Sequence, residues 1–151
     1  MESKKNVAIV EKIFAELEIL VPIYKADPID WDISKGFASV CIIDEDGQIF
    51  GRLFGDDKIR LRDSFNIAWK KANQVWITGY KTLEYEKLVF AGEVDHGKYG
   101  VQMPDFIGWE GGQPIVLKDG TKFAVGFSGF RGESDIEIIL KALKNANIEL
   151  K

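Results

Sequence analysis

An α+β fold is predicted for this chain, and three observations predict it. Two pairs of short β-branched or aromatic runs are each joined by an Asp/Gly-containing turn, so the strands come as antiparallel hairpins. Segments with apolar residues at spacings of three and four lie before, between and after those hairpins. No stretch has the composition of a linker, so residues 1–151 read as a single domain with ample length for one core. The order is helix, hairpin, helices, hairpin, helix: an antiparallel sheet with helices packed on it.

Val7, Val10, Phe14, Leu17 and Leu20 carry the first helix, with Glu11, Lys12, Glu16 and Glu18 mainly on the other face. Pro22 is expected to end or kink it, and Asp27-Pro28 reads as a turn. The run from Phe37 to Ile43 reads as a central strand, turned by Asp44-Glu45-Asp46-Gly47 and answered by Gln48 to Phe54. Asp63-Ser64 reads as the N-cap of a helix from Phe65 to Ile77, with Phe65, Ala68, Trp69, Ala72, Val75 and Trp76 as its apolar stripe and Gly79 as C-cap. Thr82 caps a shorter helix through Leu83, Leu88 and Val89, ending at Gly92.

Ten of the fifteen glycines lie at or after Gly92, and residues 92–113 have no clear period. A connector this long is either functional or hides a short element. With Val101, Phe106, Ile107 and Trp109 as apolar anchors, it is expected to cover an edge or face of the sheet. The second hairpin pairs Pro114–Leu117 with Lys122–Ser128 across Lys118-Asp119-Gly120-Thr121. Ser134 or Asp135 then caps a last helix with Ile136, Ile139, Leu140 and Leu143 on one face.

Composition narrows the function classes. Hydrophobic residues make up 46% and charged residues 29%, an ordinary globular balance. Twenty Lys and Arg against 24 Asp and Glu leave a net charge of −4, which argues against a nucleic-acid partner. One cysteine, Cys41, excludes an intramolecular disulfide framework, and one histidine, His96, excludes HExxH zinc chemistry. Glu11 and Lys12 interrupt the first apolar run before a signal-peptide core could form, and no window approaches a membrane span. A cytoplasmic protein with no membrane partner is the expectation, and a lone thiol suits a reducing compartment.

Phosphate and hydrolase readings are weak. Neither GxxxxGK[ST] nor a strand-to-helix GxGxxG is present, and no GxSxG surrounds Ser128. The segment Gly126 to Gly132 precedes a helix N-terminus, but Glu133 and Asp135 already place carboxylates there. Cys41 sits mid-strand and reads as a buried, inert thiol. His96 is the candidate metal ligand, and with Met103 it offers the two side chains that serve as axial ligands of haem iron. The bland alternative is an exposed loop histidine. Tyr99 and Trp109 either line a flat-sided pocket or pack the loop down. Lys58, Arg60 and Arg62 form the one basic cluster, interleaved with Asp56, Asp57 and Asp63; it holds a carboxylate or is a solvated loop.

Three segments together resemble the GlcG/HbpS-like family of haem-degrading or haem-binding domains. They are the Asp44-Glu45-Asp46-Gly47 hairpin, the helix Ser64-Phe65-Asn66-Ile67-Ala68-Trp69-Lys70-Lys71-Ala72, and Gly111-Gly112-Gln113-Pro114-Ile115 joined to Gly126-Phe127-Ser128-Gly129 and Asp135. Tyr99-Gly100 also fits, and the likeness runs from about Val7 to Ala146 in consistent order. The resemblance implies a profilin-like sandwich assembled as a homo-oligomer. Asp105-Phe106-Ile107-Gly108-Trp109-Glu110 departs from the family pattern, so a pocket there is altered. Lys71 either reaches the sheet or sits on a solvated face.

The resulting expectation is a small-molecule-binding protein, with haem or another tetrapyrrole as the named ligand. His96, Tyr99, Met103, Gly111, Gly112, Arg60, Arg62 and Ser64 are its candidate site residues. One alternative is an enzyme acting on a small organic acid or aromatic compound, with Arg60 or Arg62 holding a carboxylate and Tyr99, His96 or Lys71 moving a proton. Another is a non-catalytic accessory protein. Self-association is expected through exposed aromatics, with Phe54, Phe130 and Trp109 as candidates.

Overall fold

The computed structural model describes residues 2–101 and 105–151, apart from the side chains of residues 2 and 3. Met103 therefore lies outside the described residues. The elements are α1 (Glu2–Lys25), α2 (Pro28–Ser34), β1 (Ala38–Asp44), β2 (Ile49–Phe54), α3 (Lys58–Thr78), α4 (Thr82–Phe90), a 3-10 turn (His96–Tyr99), β3 (Gly112–Val116), β4 (Lys122–Ser128) and α5 (Gly132–Asn145). The four strands form one antiparallel sheet in the order β2-β1-β4-β3. The α+β class and the hairpin order follow as expected, with β1 and β4 central. Pro114, which cannot donate to a ladder, falls on the edge strand β3.

Every residue of β1 is buried, because helices cover both sheet faces. Alternation sends Val40, Ile42, Val125 and Phe127 toward α1 and α5, and Cys41, Ile43 and Ala124 toward α3. The first side is built from large side chains of α1 and α5, including Phe14, Leu17, Ile138 and Leu143. The second is shallow. A Cβ at Gly126 would lie 2.1 Å from the Ala68 carbonyl oxygen, so glycine there lets α3 lie directly on β4.

Several boundaries differ from the sequence reading. Helix α1 continues through Pro22 to Lys25: Pro22 is exposed, while Val21 and Tyr24 are buried in the core and hold the last turn. The turn at Asp27-Pro28 opens a helix instead, because the Asp27 carboxylate accepts from Ile29 and Asp30 N–H and proline suits the first helical position. Helix α3 starts at Lys58, not Phe65, since Asp57 caps it through Ile59 and Arg60 N–H. Trp69 and Trp76 are 38% and 46% exposed, because the sheet-facing stripe of α3 is Ala68, Lys71, Ala72 and Val75. The buried face of α5 is Ile138, Ile139, Ala142 and Leu143, leaving Leu140 at the surface. Phe54 and Phe130 are buried core residues, so neither offers the exposed aromatic surface expected of it.

The glycine-rich connector meets the sheet only at its end, where Gly111 O accepts from Phe127 N–H (3.0 Å) and residues 112 and 113 begin β3. It packs on α3 and α4, where the Gln74 side chain donates to Ile107 O (2.8 Å) and accepts from Ile107 N (2.7 Å). The Thr82 hydroxyl donates to Trp109 O at 2.6 Å. Phe106 is buried against Tyr85. No helix among the described residues is long and apolar enough to cross a membrane.

Candidate functional site

Arg60, Ser64, Ile67 and Lys71 recur at spacings of four, three and four, which aligns them along one side of α3. That stripe floors a cavity of about 730 Å³. Eleven residues of helix separate its ends, so the floor runs about 16 Å. One wall comes from the end of α2 and Phe37, another from Leu83 and Glu86 of α4, and a third from Gly108, Trp109 and Glu110. The far side is the β4–α5 corner, including Ser128, Phe130 and Asp135. Its size and mostly apolar or aromatic walls with a few polar groups are those of a small-molecule pocket.

Two cationic groups sit at opposite ends. The Arg60 guanidinium lies over the Phe37 ring, 5.6 Å from its centre, and has no ion pair among the described residues. Lys71 is 2% exposed and reaches the sheet. Its ammonium donates to Phe127 O at 2.8 Å and to Asp135 Oδ2 at 3.3 Å. The other Asp135 oxygen accepts from Phe130 N–H at 2.9 Å, so both carboxylate oxygens are engaged. Burial pushes the Asp135 carboxyl up to about 7, against the downward pull of Lys71 and the Phe130 N–H. Burial also lowers the Lys71 ammonium, opposed by Asp135 and Glu110. Gly111 has φ 120, and a Cβ there would lie 2.5 Å from Phe127 O and 2.7 Å from Lys71 Nζ, so this backbone seals the ammonium in.

Of the residues singled out from sequence, Arg60 and Ser64 line the cavity, and the Ser64 hydroxyl is 2.9 Å from that of Ser39. Gly111 backs it. Gly112 lies on β3, where it borders a smaller neighbouring pocket with Thr82 and Ile136. Arg62 is exposed and does not line the cavity. His96 and Tyr99 are placed elsewhere: the His96 ring lies 6.0 Å from Phe106 and the Tyr99 ring 6.1 Å from Tyr85. Of the carboxylate-holding and proton-moving candidates, Arg60 and Lys71 thus share the cavity, while Arg62, His96 and Tyr99 do not line it. No cluster of three or more His, Cys, Asp or Glu suited to a metal occurs among the described residues. Cys41 is buried mid-strand with its thiol pushed up to about 12, as an inert thiol should be. Sequence reasoning missed Phe37 and Glu86 as cavity walls; the four-three-four spacing on α3 signals only the floor, and no local pattern marks either wall residue.

The family model described as haem degrading protein HbpS-like matches residues 35–144. The chain belongs to the HbpS-like family. Among solved structures, protein ORFY of Klebsiella pneumoniae is 20% identical, covering 93% of this chain and 88% of that one with a TM-score of 0.61. The PduOC–haem complex is also 20% identical, covering 93% and 94% with a TM-score of 0.64. A double mutant of HbpS from Streptomyces reticuli is 17% identical, covering 80% and 81% with a TM-score of 0.54. These structures share the fold of this HbpS-like chain. No curated protein sequence matches it.

Proposed function

We propose that this chain binds a flat, largely apolar small molecule carrying an acid group, with haem or a related tetrapyrrole as the ligand. The observation that carries this reading is the cavity on α3, where Phe37 and Trp109 provide aromatic walls and Arg60 stands free for a carboxylate. The HbpS-like family match supports the same ligand class, as does the haem complex formed by one structural relative. Arg60 would hold a propionate, Phe37 and Trp109 would cover the macrocycle, and the ligand would supply the iron's own redox chemistry. The fit is to the macrocycle and its acids. Among the described residues, no imidazole, thiolate, thioether or phenol lines the cavity to hold iron.

Titration with haemin, followed by Soret absorbance, tests the reading. A saturable change at one equivalent is expected, and Ile67→Trp, which fills the floor, should abolish it. No saturable change in the parent protein overturns the proposal. An unchanged titration in His96→Ala removes His96 as an iron ligand, the outcome expected from its place beside Phe106.

A cytoplasmic homo-oligomer remains part of this proposal. Ile49 and Leu53 are 54% and 48% exposed on the α3 side of edge strand β2, and Trp69 adds an exposed indole from α3. That apolar surface replaces Phe54 and Phe130 as the expected contact. Sedimentation showing only a monomer at tens of micromolar would contradict it.

A further inference from the structure

We infer that the cavity recognises the acid groups and flat face of its ligand and that none of its described residues supplies a ligand to iron, so that iron-free protoporphyrin and haemin bind alike. This rests on the tetrapyrrole reading above and adds the basis of its selectivity. Haem iron is held in proteins by imidazole, thiolate, thioether or phenolate donors. The cavity wall instead presents carboxylates, at Asp63, Glu86, Glu110 and Asp135, and one amine, at Lys71. Carboxylate oxygen suits hard cations such as magnesium or calcium better than haem iron. Moreover, the Lys71 amine is occupied by Phe127 O and Asp135, and Asp135 in turn by Phe130 N–H. Neither is free to move to a metal without leaving a buried partner unsatisfied.

The same charges orient the ligand. Glu110 adjoins Gly111 and acts on Lys71, and Glu86 packs against Gly108 two residues before Glu110. The Lys71 end therefore sets two carboxylates, Asp135 and Glu110, against one ammonium, with Glu86 on the adjoining wall. At the Arg60 end, about 16 Å away along the helix, Asp63 lines the cavity, the Asp57 carboxylate is engaged by the Ile59 and Arg60 backbone N–H groups, and the guanidinium has no ion pair among the described residues. Two propionates are repelled from the first end and attracted to the second, which leaves the macrocycle over Ile67 with Trp109 beside it.

Quenching of tryptophan fluorescence by haemin, by iron-free protoporphyrin IX and by its dimethyl ester tests this with the full chain. Haemin and protoporphyrin should bind within about threefold of each other, and Arg60→Ala should weaken both by about tenfold. The dimethyl ester should bind more weakly and be indifferent to Arg60→Ala, a control that needs no assumption about how the variant folds. Haemin binding more than about tenfold tighter than protoporphyrin, with a Soret band that moves in Glu86→Gln or Glu110→Gln, would overturn the inference and leave the tetrapyrrole reading standing. Failure of all three porphyrins to bind would overturn both.

Discussion

The two faces of the sheet are packed by different means. Toward α1 and α5, large side chains fill the space: Phe14, Leu17, Phe123, Phe127, Ile138 and Leu143 are all buried there. Toward α3, the buried apolar cluster consists of Cys41, Ile43, Ala68, Ala72, Val75 and Ala124. Small residues bring α3 close to β4, and polar side chains, Lys71 and Gln74, are buried at or beside the contact. The first face is held by apolar area, and the second by close approach and satisfied hydrogen bonds. A face of the second kind can be left open along one side without exposing a large core, and the cavity lies there.

The largest effect expected from breaking this contrast is at Asp135. Asp135→Ala leaves the buried Lys71 ammonium with only Phe127 O and should cost about 3–5 kcal/mol in urea unfolding. Lys71→Met combined with Asp135→Asn removes both charges and keeps an acceptor for Phe130 N–H. Recovery of less than half the loss would show that the pair is not what Asp135→Ala disturbs.

Next comes Gly126→Ala. One added methyl meets the Ala68 carbonyl oxygen at 2.1 Å and Ala72 N at 2.6 Å, both backbone atoms of α3. A destabilisation of about 1–3 kcal/mol is expected from overpacking, together with weakened haemin binding as α3 shifts. A neutral result would mean that α3 is not seated by this contact.

The smallest effect separates a third region, the α2–α5 junction. The Asp30 carboxylate is buried and accepts from Arg131 N (2.9 Å), Arg131 Nε (3.1 Å) and the Ser134 hydroxyl (3.0 Å). Burial alone would raise its pKa, but these donors outweigh it and hold the carboxyl below its ordinary value. A depressed folded-state pKa means that the group's stabilisation is complete above about pH 4 and is lost as pH falls through the folded value. Stability of the parent protein should therefore drop more steeply below about pH 4 than that of Asp30→Asn. Parallel curves would show that Asp30 does not govern this part of the acid response.

By itself, the sequence determined the class and the order of elements. The short β-branched or aromatic runs on either side of Asp44–Gly47 and Lys118–Thr121 are too close in sequence to pair except as antiparallel hairpins, and apolar spacing at Val10, Phe14 and Leu17 makes one continuous face only as a helix. The lining residues on α3 were also within reach, since Arg60, Ser64, Ile67 and Lys71 stand at helical spacing. Their common face was hidden by the competing cap at Asp63-Ser64, which the Asp57 carboxylate displaces. Which groups share the cavity was decided by tertiary structure alone. Arg60 meets Phe37, and Lys71 meets Asp135, 64 positions along the chain. His96, which stood out because it is the lone histidine, is carried away from the cavity by the packing of Phe106 against Tyr85. Local propensity reaches only a few residues in either direction. The burial of an ammonium beside a carboxylate depends on how two helices and a strand edge close on one another.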